Sequence, residues 1–187
     1  MNHKELETAV HTLLKAIGED PERRGLRRTP TRVADMLGEI LDGYRVDPAE
    51  FIAEALSDVV YDEMIVVKDI EFFSMCEHHM LPFFGRAHVA YVPQEKIIGL
   101  SKIPRTVDIF AHRLQVQERM TQQIADTLAE ILRPQGVGVV VEGTHLCAMM
   151  RGVKKQQARL VTSAMLGSFK SNPATRQEFL ALLKSDK

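Results

Sequence analysis

An α+β domain behind a helical N-terminal region is the fold this sequence predicts, and three observations carry it. Residues 1–60 hold apolar side chains at helical spacing, and from Glu63 the pattern turns to short runs rich in β-branched and aromatic residues. The remaining order reads two strands, two helices, two strands and a last helix, with no internal repeat, low-complexity segment or long linker. The chain therefore divides into a helical region over 1–60 and an α+β domain over 61–187.

Leu6, Val10, Leu13, Leu14 and Ile17 recur at helical spacing and Gly18 follows as a stop, which predicts an amphipathic helix over about 4–17. After the basic loop Glu22–Arg28, Thr29-Pro30 supplies an N-cap and a first-turn proline for a helix through Val33, Met36, Leu37, Ile40 and Leu41, ended by Gly43. Asp47-Pro48 repeats the signal for a short helix holding Phe51, Ile52 and Leu56. Met64 to Val67 and Ile70 to Phe73 read as strand, interrupted at Cys76–His79 and resumed from Gly85 to Val92. A loop at 97–102 leads to helices over about 104–113 and 117–133, the second with Met120, Ile124, Leu128 and Ile131 on one face and closed by Pro134 and Gly136. Val137–Val141 and His145–Met150 form an extended run and Ala158–Phe169 a last strand, before a helix opened by Asn172-Pro173 that carries Phe179, Leu180, Leu182 and Leu183. Four strands make a narrow sheet whose open edges call for partners, so oligomerisation by edge pairing is expected.

With 187 residues and 45% hydrophobic content, the chain can bury one core without a second. The opening residues Met1 to Glu5 are polar and charged rather than apolar, and no run reaches the ~20 apolar residues of a membrane helix, which predicts a cytoplasmic protein without signal peptide or membrane span. A net charge of −1 argues against nonspecific nucleic-acid binding.

Both cysteines and three of the seven histidines fall in two clusters, Cys76-Glu77-His78-His79 and His145-Leu146-Cys147. Thiolate and imidazole are the donors that select zinc; Cys-x-x-His closes a chelate across one turn, and on a strand His-x-Cys turns both side chains to one face. Five donors exceed the three that a catalytic zinc takes from its protein. Two thiolates cancel the charge of Zn²⁺, and the spacing from Cys76 favours His79 over His78, so Cys76, His79 and Cys147 are the expected ligands. His78 and His145 are then left as acid–base groups. A zinc staple that only ties two segments together, or a Cys76–Cys147 disulfide, would use the same residues differently.

Lys102 and Arg105 lie one turn apart at a helix start, where the dipole favours an anion, and Arg151 and Arg32 are further candidate phosphate arms; singly, each is also an ordinary surface charge. In Gln117-Glu118, a carboxylate can accept from both N1–H and the exocyclic amine of guanine, whereas adenine has no N1–H; Glu118 also suits the N-terminus of the following helix.

Ser74-Met75-Cys76-Glu77-His78-His79, Gly99-Leu100-Ser101-Lys102, Gln115-Val116-Gln117-Glu118-Arg119 and His145-Leu146-Cys147-Ala148-Met149-Met150-Arg151-Gly152 resemble, in this order, the zinc-dependent GTP cyclohydrolase I family. The likeness runs from about Gly18 to Leu183 and includes Thr29 to Ala34 and Thr162 to Gly167. It implies the tunnelling fold, whose ββααββ units pair into pentameric rings that stack as a decamer. It also implies hydrolysis of GTP to formate and 7,8-dihydroneopterin triphosphate, the first step towards folate or tetrahydrobiopterin. By motif, zinc falls to Cys76, His79 and Cys147, catalysis to His78 and His145, guanine to Gln117 and Glu118, and the triphosphate to Lys102, Arg105, Arg151 and Arg32, in sites between subunits; Ser101 is a further candidate for the proton shuttles of the ribose rearrangement. A zinc deaminase needs a Pro-Cys-x-x-Cys motif absent from this chain. A zinc-stapled guanine-nucleotide-binding module without catalysis is the alternative, and formate release separates the two.

Overall fold

Asn2 opens the first helix by accepting the Glu5 N–H on its side-chain oxygen, and α1 runs His3–Ala16 before Gly18 turns the chain with φ of 89°. The computed structural model describes residues 1–58 and 60–184, which form two compact units, Met1–Asp42 and Gly43–Lys187. The last three residues of the predicted 61–187 domain lie outside the described residues.

In the first unit α1 packs against α2, Thr29–Ile40. Thr31 Oγ1 donates to Glu7 at 2.6 Å, and His3 Nε2 lies 2.7 Å from the Asp35 carboxylate. Pro30 sits in the first turn as predicted. The cap is a correction: Thr29 is already helical, and Arg28 holds the capping position without a side-chain bond.

The second unit begins at Gly43 inside a 3-10 turn, Asp42–Arg45. Gly43 does not end α2. Its backbone passes so close to the Ile109 and His112 carbonyls that a Cβ would collide with both. α3 spans Pro48–Ala53 with Asp47 capping the Ala49 and Glu50 N–H groups, and ends before Leu56, which starts β1, Leu56–Asp58. That strand pairs antiparallel with β4, Lys96–Ile98.

The main sheet has five strands rather than the predicted four, in the order β5-β2-β3-β6-β7. β2 (Ile65–Cys76) and β3 (Leu81–Val92) form an antiparallel hairpin, joined by β6 (Gly136–His145) and β7 (Leu160–Gly167). The added strand is β5, Leu114–Gln115, parallel to Met75 and Cys76 at the end of β2. The predicted interruption at the metal cluster is present but shorter: β2 continues through Cys76, only four residues separate it from β3, and β3 resumes at Leu81 rather than Gly85.

Alternation sorts the side chains. Phe83, Ala87, Val89 and Tyr91 of β3, with Val137, Val139 and Val141 of β6, join Met120, Ile124 and Leu128 in the main core. These last three lie on α5, Gln117–Leu132, which with α4, Lys102–Ala111, packs against the sheet. Their predicted spans are within two residues of those observed. On the other face Ala90, Val140 and Met165 meet Phe169 of α7 (Ser168–Ser171) and Phe179 of α8 (Pro173–Lys184). Farther along that face Phe73, Phe84 and Val161 stay exposed.

Candidate metal centre

Cys76 is the last residue of β2, buried, and the chain reverses over 77–80 with the Met80 N–H bonded to the Cys76 carbonyl at 2.8 Å. Met80 takes φ of 51°, the left-handed conformation that lets so short a turn close. The turn is anchored twice. Glu77 N–H donates to the Gln115 carbonyl at 3.0 Å, and the Glu77 carboxylate pairs with the Arg119 guanidinium, whose hydrogen bond holds its pKa below the usual carboxylate value. Arg119 also donates to the Gln115 side chain and the Leu114 carbonyl, both at 3.0 Å. His78 and His79 stand exposed on this turn, with His78 Nδ1 3.7 Å from the Cys76 sulfur.

The second cluster is not the predicted strand. His145 ends β6 opposite Phe83, but Leu146–Met149 coil into a short helix, α6, so alternation cannot be what turns Cys147 towards Cys76. The helical turn does so instead. The donor atoms of Cys76, His79 and Cys147 all lie within 4.8 Å of one another. Zn–S bonds of about 2.3 Å and Zn–N bonds of about 2.0 Å place the donors of one tetrahedral ion roughly 3.5 Å apart, so small rotations suffice. Two thiols and an imidazole also suit a soft divalent ion, so this group could hold a metal such as zinc. Both cysteines are free, and burial together with the nearby Cys76 sulfur pushes the Cys147 thiol up. Two adjacent thiolates repel each other, and a divalent cation removes that penalty.

Beside this group lies His145, its ring stacked on Phe83 with centroids 4.5 Å apart and planes 4° from parallel. Its Nε2 is 2.9 Å from Gln117 Oε1. Burial lowers its pKa, opposed by the charge of Glu118, which is exposed in the first turn of α5. Gln117 is buried, its amide nitrogen within reach of the Val141 and Leu160 carbonyls and Thr162. Arg151 is exposed after α6, near enough for its charge to oppose, without reversing, the upward push on the Cys147 thiol.

His78 lies against Cys76, Arg151 lies near Cys147, and His145, two residues before Cys147, has Gln117 and Glu118 near it; the structure does not bring Lys102 and Arg105 there. The Ser74 hydroxyl, two residues before Cys76, donates to the Ala111 carbonyl, so the C-terminal end of α4 adjoins the metal centre. Ser101, Lys102 and Arg105 belong to the other end of α4, which is about 15 Å long. There Lys102 Nζ donates to the Phe51 carbonyl at 2.9 Å, sits 3.8 Å from the Phe51 ring centroid and pairs with Glu54. Arg105 and Ser101 are exposed, as is Arg32 on α2. Sequence reasoning missed the Glu77–Arg119 clamp and the Phe83 stack, because their partners lie 42 and 62 residues apart in the chain and no local pattern joins them.

A family model described as GTP cyclohydrolase I matches residues 6–184. A Chlorobaculum tepidum protein named GTP cyclohydrolase 1 is 59% identical over 175 residues, which cover 94% of this chain and 78% of that one. Proteins of the same name from Leptospira biflexa and Deinococcus radiodurans are each 53% identical, over 96% and 98% of this chain and 98% and 85% of their own.

Proposed function

This chain belongs to the GTP cyclohydrolase I family and is an enzyme of that type; from that premise we propose that it hydrolyses GTP to formate and 7,8-dihydroneopterin triphosphate, with zinc on Cys76, His79 and Cys147. One observation carries the reading: His78 and His145 stand beside the three donors, more groups than a structural staple needs.

When bound there, zinc supplies the Lewis acidity that makes water a nucleophile at neutral pH. The chain's own residues do the rest. His145 gives a proton to N7 of the purine, so that C8 accepts water and the imidazole ring opens. His78, on the exposed turn, and Ser101 carry protons in the later release of formate and the ribose rearrangement. Glu118, with Gln117 beside it, reads guanine, its carboxylate accepting from N1–H and the amino group. Arg151 takes the triphosphate from the same chain as the metal centre.

Lys102, Arg105 and Ser101 complete this reading only in an assembly, and Arg32 is the remaining arm proposed for the triphosphate. The separation along α4 supports a site built between subunits, and the exposed edge of β7 suits strand pairing into pentameric rings of the tunnelling fold, stacked as a decamer. In this reading residues 1–60 are the helical region and 61–187 the catalytic domain of a cytoplasmic protein. Among the described residues no helix is long and apolar enough to cross a membrane. Light scattering should give a ring-sized oligomer; a fully active monomer contradicts the shared site.

Glu118→Gln should weaken GTP binding by about 1–3 kcal/mol, since an amide offers an oxygen to only one guanine donor and sets its own N–H₂ against the other. Zinc content should stay at the parent value. Unchanged affinity in calorimetry would return Glu118 to the role of a helix-start residue.

A further inference from the structure

Gln117 has both ends of its amide committed inside the protein, and the commitments have a direction. Its Nε2 lies 2.9 Å from the Val141 carbonyl and 3.0 Å from the Leu160 carbonyl. Carbonyl oxygens only accept, so the amide nitrogen must face them and Oε1 must face His145. The threonines agree. Thr121 Oγ1 donates to the Gln117 backbone carbonyl at 2.7 Å, so its bond of 2.6 Å to Thr162 takes the hydrogen from Thr162, which in turn accepts from Gln117 Nε2 at 3.1 Å. Flipping the amide would set oxygen against two carbonyls. At 2.9 Å from an oxygen that only accepts, His145 Nε2 must carry a hydrogen. The Phe83 ring fixes the plane of the imidazole, and Gly143 leaves room for the amide, because a Cβ there would strike Gln117 Oε1.

We propose that Gln117 is a positioning residue that holds His145 in one ring orientation and one tautomer, hydrogen on Nε2, leaving Nδ1 as the nitrogen that meets the substrate. Among the described residues Nδ1 has no hydrogen-bond partner of its own. A proton passed from Nδ1 to a purine nitrogen leaves the neutral ring with its hydrogen on Nε2, the form the amide already accepts. Transfer then needs no tautomer exchange and no ring flip. The rate consequence rests on the proposed role of His145 as the proton donor; the tautomer does not.

The test is solid-state ¹⁵N NMR of the histidine-labelled zinc enzyme, with the His145 resonances identified by their absence in His145→Asn. A protonated, pyrrole-like Nε2 and an unprotonated, pyridine-like Nδ1 in the neutral ring are expected; the reverse assignment overturns the proposal. Gln117→Met should mix the tautomers and lower kcat by about tenfold or more, within the ~10²–10⁴ that a positioned proton carrier supplies, while zinc content holds. A variant with parent tautomer and parent kcat also overturns it. If Gln117→Met does not fold, the parent spectrum decides. An Nε2–H spectrum combined with undiminished formate release by His145→Ala upholds the positioning and removes instead the catalytic reading of His145.

Discussion

Cys147→Ser should leave the protein folded, nearly free of zinc and without formate release. Cys147 reaches the metal donors from α6, a helix of four residues, while Cys76 ends β2 and His79 lies in the turn after it, so removing Cys147 deprives the centre of its one contribution from the second segment. A neutral hydroxyl replaces a thiolate poorly on a soft ion, and two thiolates are what balance the charge of a divalent cation in this pocket. Metal analysis of the purified variant should fall from about one zinc per chain towards none. Full occupancy with retained activity would remove Cys147 from the ligand set.

His145→Ala should separate proton transfer from metal binding. Its imidazole bonds to Gln117 and stacks on Phe83, and the three donors group without it. Zinc should therefore remain while formate release falls by ~10²–10⁴, the contribution of a general acid. His79→Ala should lose the metal itself. Zinc retained in His79→Ala but lost in His145→Ala would mean that the third ligand is misassigned.

The clusters and the long helices could be read in sequence because each is a local pattern. Met120, Ile124 and Leu128 repeat at a helical period and end fully buried on α5. Cys76 and His79 bring their donor atoms together across one turn, a spacing visible in four consecutive residues. Leu146 to Met150 misled, since an apolar run this short does not distinguish strand from a helical turn, and tertiary context decided for the turn. β5 escaped because two residues held by pairing with β2 carry no periodicity. Gly43 looked like a helix stop, yet its role is a close backbone approach to residues more than sixty positions away. The direction of the Gln117 amide depends on carbonyls of two strands and could be read only from the folded chain.

Formate released per GTP consumed, followed through removal of metal and return of zinc, tests the account most directly. One formate per GTP is predicted for the zinc enzyme, none after chelation, and recovery when about one zinc per chain is restored. GTP bound without formate at full zinc occupancy would make the centre a staple in a binding module, and formate released at the full rate by the metal-free protein would contradict the assignment of Cys76, His79 and Cys147.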